Sequence, residues 1–119
     1  MRLVIDLQGA QGASRLRGIG RLSYELAYAM AQSPRQHEVI LALNGLFPGA
    51  TNDLITSFKD IIGKDAIKVW YPAGETGAII PDSTSKRVAS ERIRARFLQS
   101  LQPDLVHVSS HFEGRIQVW

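Results

Sequence analysis

The sequence contains no cysteine. That excludes a disulfide framework and any thiolate metal site, and it fits a reducing compartment. No apolar run approaches the ~20 residues that a membrane-spanning helix needs. Met1 leads straight into a strand-like run, with no charged leader followed by a long apolar stretch, so no secretory signal is read. There is no internal repeat, no low-complexity tract and no G-x-x-x-x-G-K-[ST] phosphate loop. The net charge of +3 is too mild to imply nucleic acid as a partner. What remains is 119 residues, 45% hydrophobic and 21% charged, which is ordinary composition for one globular domain with a core of its own.

Short aliphatic runs alternate with helical spacing along the chain. Arg2 to Leu7 ("RLVIDL"), His37 to Leu43 ("HEVILAL"), Ala66 to Trp70 and Asp104 to Val108 ("DLVHV") read as strands. Between them, Leu22, Leu26, Ala29 and Met30 mark one face of a helix that begins at about Ile19 and ends at Ser33-Pro34. Thr51 to Ile62 forms a second helix, with Leu54, Ile55, Phe58, Ile61 and Ile62 inward, Thr51 or Asn52 as its cap and Gly63 after its end. Ser85 to Leu101 forms a third, with Val88, Ala89, Ile93, Phe97, Leu98 and Leu101 inward. Gln8 to Arg17 and Tyr71 to Thr84 read as loops. Nearly all-apolar strands alternating with helices imply a parallel sheet covered on both faces. With right-handed crossovers, the expected fold is an α/β Rossmann-like three-layer sandwich with strand order 3-2-1-4.

That order reverses between strands one and four, which is where an open parallel sheet binds its ligand, beyond the carboxyl ends of the strands. Two loops flank the point: Gln8 to Arg21, and the "SSHFEG" segment from Ser109 to Gly114. The first ends in Gly18-Ile19-Gly20-Arg21 at a helix start, where free backbone N–H groups favour an anion. The dinucleotide fingerprint fails there. About ten residues separate Leu7 from Gly18, Ser23 stands where the last glycine or alanine belongs, and Asn44 replaces the acid expected after strand two. A phosphate cradle and a plain loop-to-helix junction both remain open on spacing alone.

The segments "MRLVIDLQGAQ", "RGIGRLSYELA", "HEVILALNGLFP" and "LQPDLVHVSSHFEG" resemble the amino-terminal half of retaining glycosyltransferases of family 4, enzymes of GT-B fold with two Rossmann-like domains across a cleft. The resemblance implies that residues 1–119 are part of an acceptor-side domain. It implies that Gly18, Ile19, Gly20 and Arg21 reach over the diphosphate of a sugar nucleotide, and that His111, ahead of the strand residue His107, lies near the transferred sugar. Glu113 becomes a candidate acceptor contact. The implied reaction transfers a hexose, such as mannose, to a glycan or lipid-linked acceptor, with no metal or other cofactor assigned. The family's second domain, with its paired glutamates, has no counterpart here. The expectation is therefore a portion of a longer enzyme, inactive alone and prone to self-association through open sheet edges.

Arg15, Arg17 and Arg21 make the first loop cationic. Asp6 ends strand one, where its carboxylate is placed to orient that loop. Trp70-Tyr71-Pro72 faces a sugar or packs as core. The third helix carries Lys86, Arg87, Arg92, Arg94 and Arg96 against the single acid Glu91. This face is read as solvated, or as peripheral contact with the inner side of a membrane in an otherwise cytoplasmic protein. Two other classes compete with the transferase: a non-enzymatic α/β binding or scaffold module, and an oxidoreductase domain that the failed fingerprint disfavours.

Overall fold

The computed structural model describes residues 1–12, 18–32, 37–72 and 84–108, the side chains of 84–87 excepted. Four parallel strands, β1 (Arg2–Asp6), β2 (Glu38–Asn44), β3 (Ile67–Trp70) and β4 (Leu105–Val108), form one sheet in the order β3-β2-β1-β4. Three helices cover it: α1 (Gly18–Gln32), α2 (Pro48–Ile62) and α3 (Thr84–Ser100). The expected topology is thus observed.

Side-chain alternation along the strands divides the core in two. Leu3 and Ile5 of β1, Leu7 beyond its end, and Leu41 and Leu43 of β2 pack under Ala27 of α1 and Leu54 and Phe58 of α2. Val4, Ile40 and Ala42 face the other way and meet Leu98 of α3, with Phe97, Leu101 and Val106 around it. The first pair of helices is locked by aromatic rings. Tyr24 and Tyr28 stack at 5.8 Å, and each meets the Phe58 ring edge-on at 5.7 and 5.6 Å, geometries worth about 0.5–1.5 kcal/mol each beyond area burial.

Three sequence expectations are corrected. Of the Leu22, Leu26, Ala29 and Met30 stripe expected to face inward on α1, only Met30 packs against the core. Gly20, Ser23 and Ala27 are buried, while Leu22 is 62% exposed and Leu26 and Ile19 are also exposed. Small residues let the helix lie close to the sheet, and the two tyrosines reach sideways to α2. In α3 the inward positions are Ser90, Glu91, Arg94, Ala95 and Leu98, whereas Ala89 and Ile93 face out. The helix is rotated so that Arg94 can reach the end of β1. Finally, α2 starts at Pro48, after Phe47, with no side-chain cap. Proline at the first helical position lacks only an N–H that would be unpaired anyway.

Both ends of the helix connections are specified locally. Gly63 ends α2 with φ of 85° and its N–H on the Lys59 carbonyl at 3.0 Å, a conformation that costs glycine little. At the amino edge of the sheet, Arg2 binds three elements. Its backbone N–H donates to Asp104 Oδ2 at 2.6 Å, its Nε to Glu38 Oε2 at 2.9 Å and its Nη1 to the Leu101 carbonyl at 2.6 Å. The last of these satisfies an otherwise unpaired carbonyl at the end of α3.

Candidate functional site

At the opposite edge β1 ends on Asp6, which lies between Ala42 of β2 and Val108 of β4. This is the point where the strand order reverses. Asp6 occupies the α3 side of the sheet, in alternation with Val4, and there it meets Arg94. The guanidinium Nε and Nη2 both stand 2.5 Å from Asp6 Oδ2, and both side chains are 1% exposed. The other carboxylate oxygen accepts the Gln8 N–H at 3.2 Å. One carboxylate thus holds a helix on one side and the first turn of the following loop on the other. A buried pair of this kind contributes little net stability but is costly to break one-sidedly.

The segment after β1 is not the open polar loop that its composition suggests. Gln8–Ala10 forms a buried turn of 3-10 helix, and Gln11 beyond it is also buried. The Gln11 carboxamide oxygen accepts the Asn44 N–H at 2.8 Å, and its Nε2 donates to the Asn44 carbonyl and to Thr51 Oγ1, both at 2.9 Å. Asn44 Nδ2 donates to Gln8 Oε1 at 3.2 Å, and Asn44 Oδ1 accepts the Leu46 N–H at 2.9 Å. Thr51 Oγ1 donates to the Asn44 carbonyl at 3.1 Å. Side-chain amides thereby replace the backbone ladder where β2 has run out, and buried polar groups held this way define one geometry. The outcome is a fixed platform at the carboxyl ends of β1 and β2.

Gly18, Ile19, Gly20 and Arg21 form the first turn of α1, one residue earlier than the spacing predicts. Gly20 is buried, whereas Gly18, Ile19 and Arg21 are exposed. A Cβ placed on Gly18 meets nothing within 4 Å, so the fold itself does not require glycine there. His107 lies in β4 opposite Ile5, half-buried, with Nε2 buried and unpartnered among the described residues. Trp70 is buried, whereas Tyr71 is 71% exposed. The ring of Tyr71 lies so close to Gly45 that a Cβ there would collide with it. Arg15, Arg17, His111, Glu113 and the whole Ser109–Gly114 segment lie outside the described residues. Among the described residues no group of three His, Asp or Glu side chains is placed to hold a metal ion, and no helix is long and apolar enough to cross a membrane.

Over 96% of its length the chain is similar to a serotype-specific mannosyltransferase, WbdA, from Escherichia coli. The identity is 28% over 115 residues, which make up 14% of that protein. A second Escherichia coli protein of the same name matches at 22% over 90 residues, 75% of this chain and 11% of its own length. The chain thus spans 14% and 11% of the length of the two curated relatives it matches, one seventh or less. No family profile matches, and no solved structure matches.

The platform residues are the part of the site that spacing alone misses. Gln8 and Gln11 follow a strand that is nearly all apolar, and Asn44 ends another. Uncharged amide side chains at two adjacent strand ends are the available signal for a bond between them. Arg94 is missed for a different reason. Its apolar neighbours Ile93 and Phe97 draw the inward face to themselves, while the competing stripe of Ser90, Arg94, Ala95 and Leu98 includes a charge.

Proposed function

We propose that these residues form the acceptor-side, amino-terminal part of a two-domain, GT-B-type glycosyltransferase that uses a sugar nucleotide and retains the anomeric configuration. The single observation that supports this most is the similarity to a mannosyltransferase across nearly the whole chain, in a sheet whose strand order reverses between β1 and β4. The reaction moves a hexosyl group, mannosyl by analogy with WbdA, from the donor diphosphate to a hydroxyl of a glycan or lipid-linked acceptor. A nucleoside diphosphate leaves and the hydroxyl proton is lost.

In this reading the donor diphosphate meets the first turn of α1. Backbone N–H groups of a helix start have no intrahelical partner and carry the positive end of the dipole. Arg21, exposed on that turn, supplies the charge. Its position suits an anion better than it suits the helix, whose amino end disfavours a cation. Gly18 and Gly20 allow close approach, and the Gln11–Asn44–Thr51 platform stands at the carboxyl ends of β1 and β2. His111 is assigned to the transferred sugar and Glu113 to the acceptor. The protein works on the cytoplasmic side of a membrane, and the exposed Arg92 and Arg96 of α3 are available to anionic lipid.

The test is transfer by the product of the complete reading frame that carries these residues. It is incubated with guanosine, uridine and adenosine diphosphate hexoses and with glycan and lipid-linked acceptors. Mass spectrometry detects the product and proton NMR its anomeric configuration. Hexosyl transfer with retention is expected. Absence of transfer from every donor overturns the proposal.

A further inference from the structure

Between α1 and α2, at the same carboxyl edge of the sheet, lies a cavity of about 260 Å3. Its apolar wall comes from Ala10 behind β1, Ala50 and Leu54 of α2, and Tyr24 of α1. Arg21, Glu25 and Asp53 also line it, and all three are exposed, at its mouth. Among the described residues none of these three charged groups is engaged in an ion pair or hydrogen bond. Three uncommitted charged side chains therefore surround one apolar hollow, whose wall is held rigid by the stacking of Tyr24 on Tyr28 and its edge contact with Phe58.

We infer that this cavity binds a single uncharged pyranose ring. It deepens the reading above, on which its role as the acceptor subsite rests. Size is the first reason. The volume falls just below the ~300–1,000 Å3 of pockets for drug-sized ligands, so it accommodates one ring rather than a chain. Charge is the second. Arg21 at the first turn of α1 is shared with the donor diphosphate in the reading above, while Glu25, one turn further along α1, and Asp53 of α2 keep that anion out of the hollow. A neutral ring bearing hydroxyls fits between a carboxylate-lined wall and an anion held at Arg21. Hydrogen-bonding capacity is the third. Glu25 and Asp53, when ionised, only accept, and Arg21 only donates. A ligand that serves all three must carry groups that do both, and sugar hydroxyls on adjacent carbons do so. The C–H face of the ring then lies on Ala10, Ala50, Leu54 and the Tyr24 ring, while its hydroxyls face the mouth. Few convergent polar groups over an apolar wall is the usual composition of a small-molecule site.

The experiment titrates the 119-residue chain with the methyl pyranosides of mannose, glucose and galactose, followed by amide chemical shifts. Saturable shifts at Ala10, Tyr24, Glu25, Ala50 and Asp53 are expected, with a dissociation constant on the order of 1–10 mM. Glu25→Gln and Asp53→Asn each keep shape but remove a charged acceptor, and are expected to weaken binding at least about tenfold, as loss of a hydrogen bond to a charged group does. Ser57→Leu fills the cavity from α2, leaves the three charges in place and should abolish binding. A circular dichroism melt of each variant controls for folding. Absence of saturable shifts with any pyranoside overturns the inference, as does binding that all three folded variants retain. Binding of a sugar nucleotide at the first turn of α1 without pyranoside binding overturns this inference alone and supports the transferase reading. Saturable pyranoside binding supports it whether or not the complete protein transfers sugar.

Discussion

Arg94, on the helix that covers one face of the sheet, reaches Asp6 at the end of the central strand, with two guanidinium nitrogens 2.5 Å from one carboxylate oxygen. Removing one partner leaves the other charged and buried. Arg94→Met should therefore cost about 3–5 kcal/mol, while Asp6→Leu combined with Arg94→Met should restore most of it, since an apolar replacement of a buried pair is often neutral or better. Urea denaturation of the two single variants and the double variant measures this. A double variant no more stable than Arg94→Met would show that the Asp6 carboxylate is held mainly by other groups.

The amide platform predicts a different signature. Gln11→Ala strips three bonds from Asn44 and Thr51 and should cost about 1–3 kcal/mol for the buried groups it leaves unpaired. Thr51→Val should add little to Gln11→Ala, because members of one network are not additive. Amide hydrogen exchange at Asn44 should accelerate in Gln11→Ala while that at Ile5 is unchanged.

Gly18 separates folding from function better than Gly20. Gly20 is buried, so a valine there tests packing as well as activity. Gly18 has open space beside it, and Gly18→Ala should leave stability unchanged or raise it by up to about 1 kcal/mol. In the complete enzyme the same methyl group stands where the diphosphate is proposed to approach. Loss of such a preorganised contact lowers kcat by roughly 10²–10³. Normal turnover in a stable Gly18→Ala protein would mean that the turn is only the beginning of a helix.

At the far end of α3, Gln102 holds φ of 52°, the left-handed region that glycine enters without steric penalty. Gln102→Gly should raise stability by about 1 kcal/mol. A thermal melt reads this as an increase in Tm, and a lower Tm would refute it.

Ile19, Leu22 and Leu26 leave an apolar stripe exposed on α1, and Leu105 on β4 is 51% exposed. Leu22→Glu with Leu26→Gln should alter stability by less than about 0.5 kcal/mol per position. If the chain self-associates through this stripe, sedimentation velocity should show the variant shifted to monomer. Identical profiles for both proteins would assign any association to the sheet edges instead.

The architecture was legible because it rests on periodicity. Each strand run appears within a residue or two of its expected place, and strand order follows from the handedness of the crossovers. The faces of α1 and α3 were not legible. In α1 the close contact with the sheet belongs to Gly20, Ser23 and Ala27, which carry almost no hydrophobic signal, while the leucines that do carry it face out. In α3 an arginine is drawn inward by an aspartate 88 residues earlier. A pairing over that distance leaves no trace in a local window. The start of α1 was legible to within one residue, but the fixed amide platform beside it was concealed by residues that usually signal a loop.

The two faces of the sheet are consequently held by different kinds of contact. On one face α3 is keyed to β1 by a directional charge pair, so a slide or a turn of that helix strips Asp6 of its partner. On the other face α1 touches the sheet through glycine, serine and alanine, and among the described residues no side chain of α1 hydrogen-bonds to a strand. The α1 helix is held laterally instead, by Tyr24 and Tyr28 against Phe58 of α2. On this face the two helices are tied to each other, whereas on the opposite face the helix is tied to the strand itself.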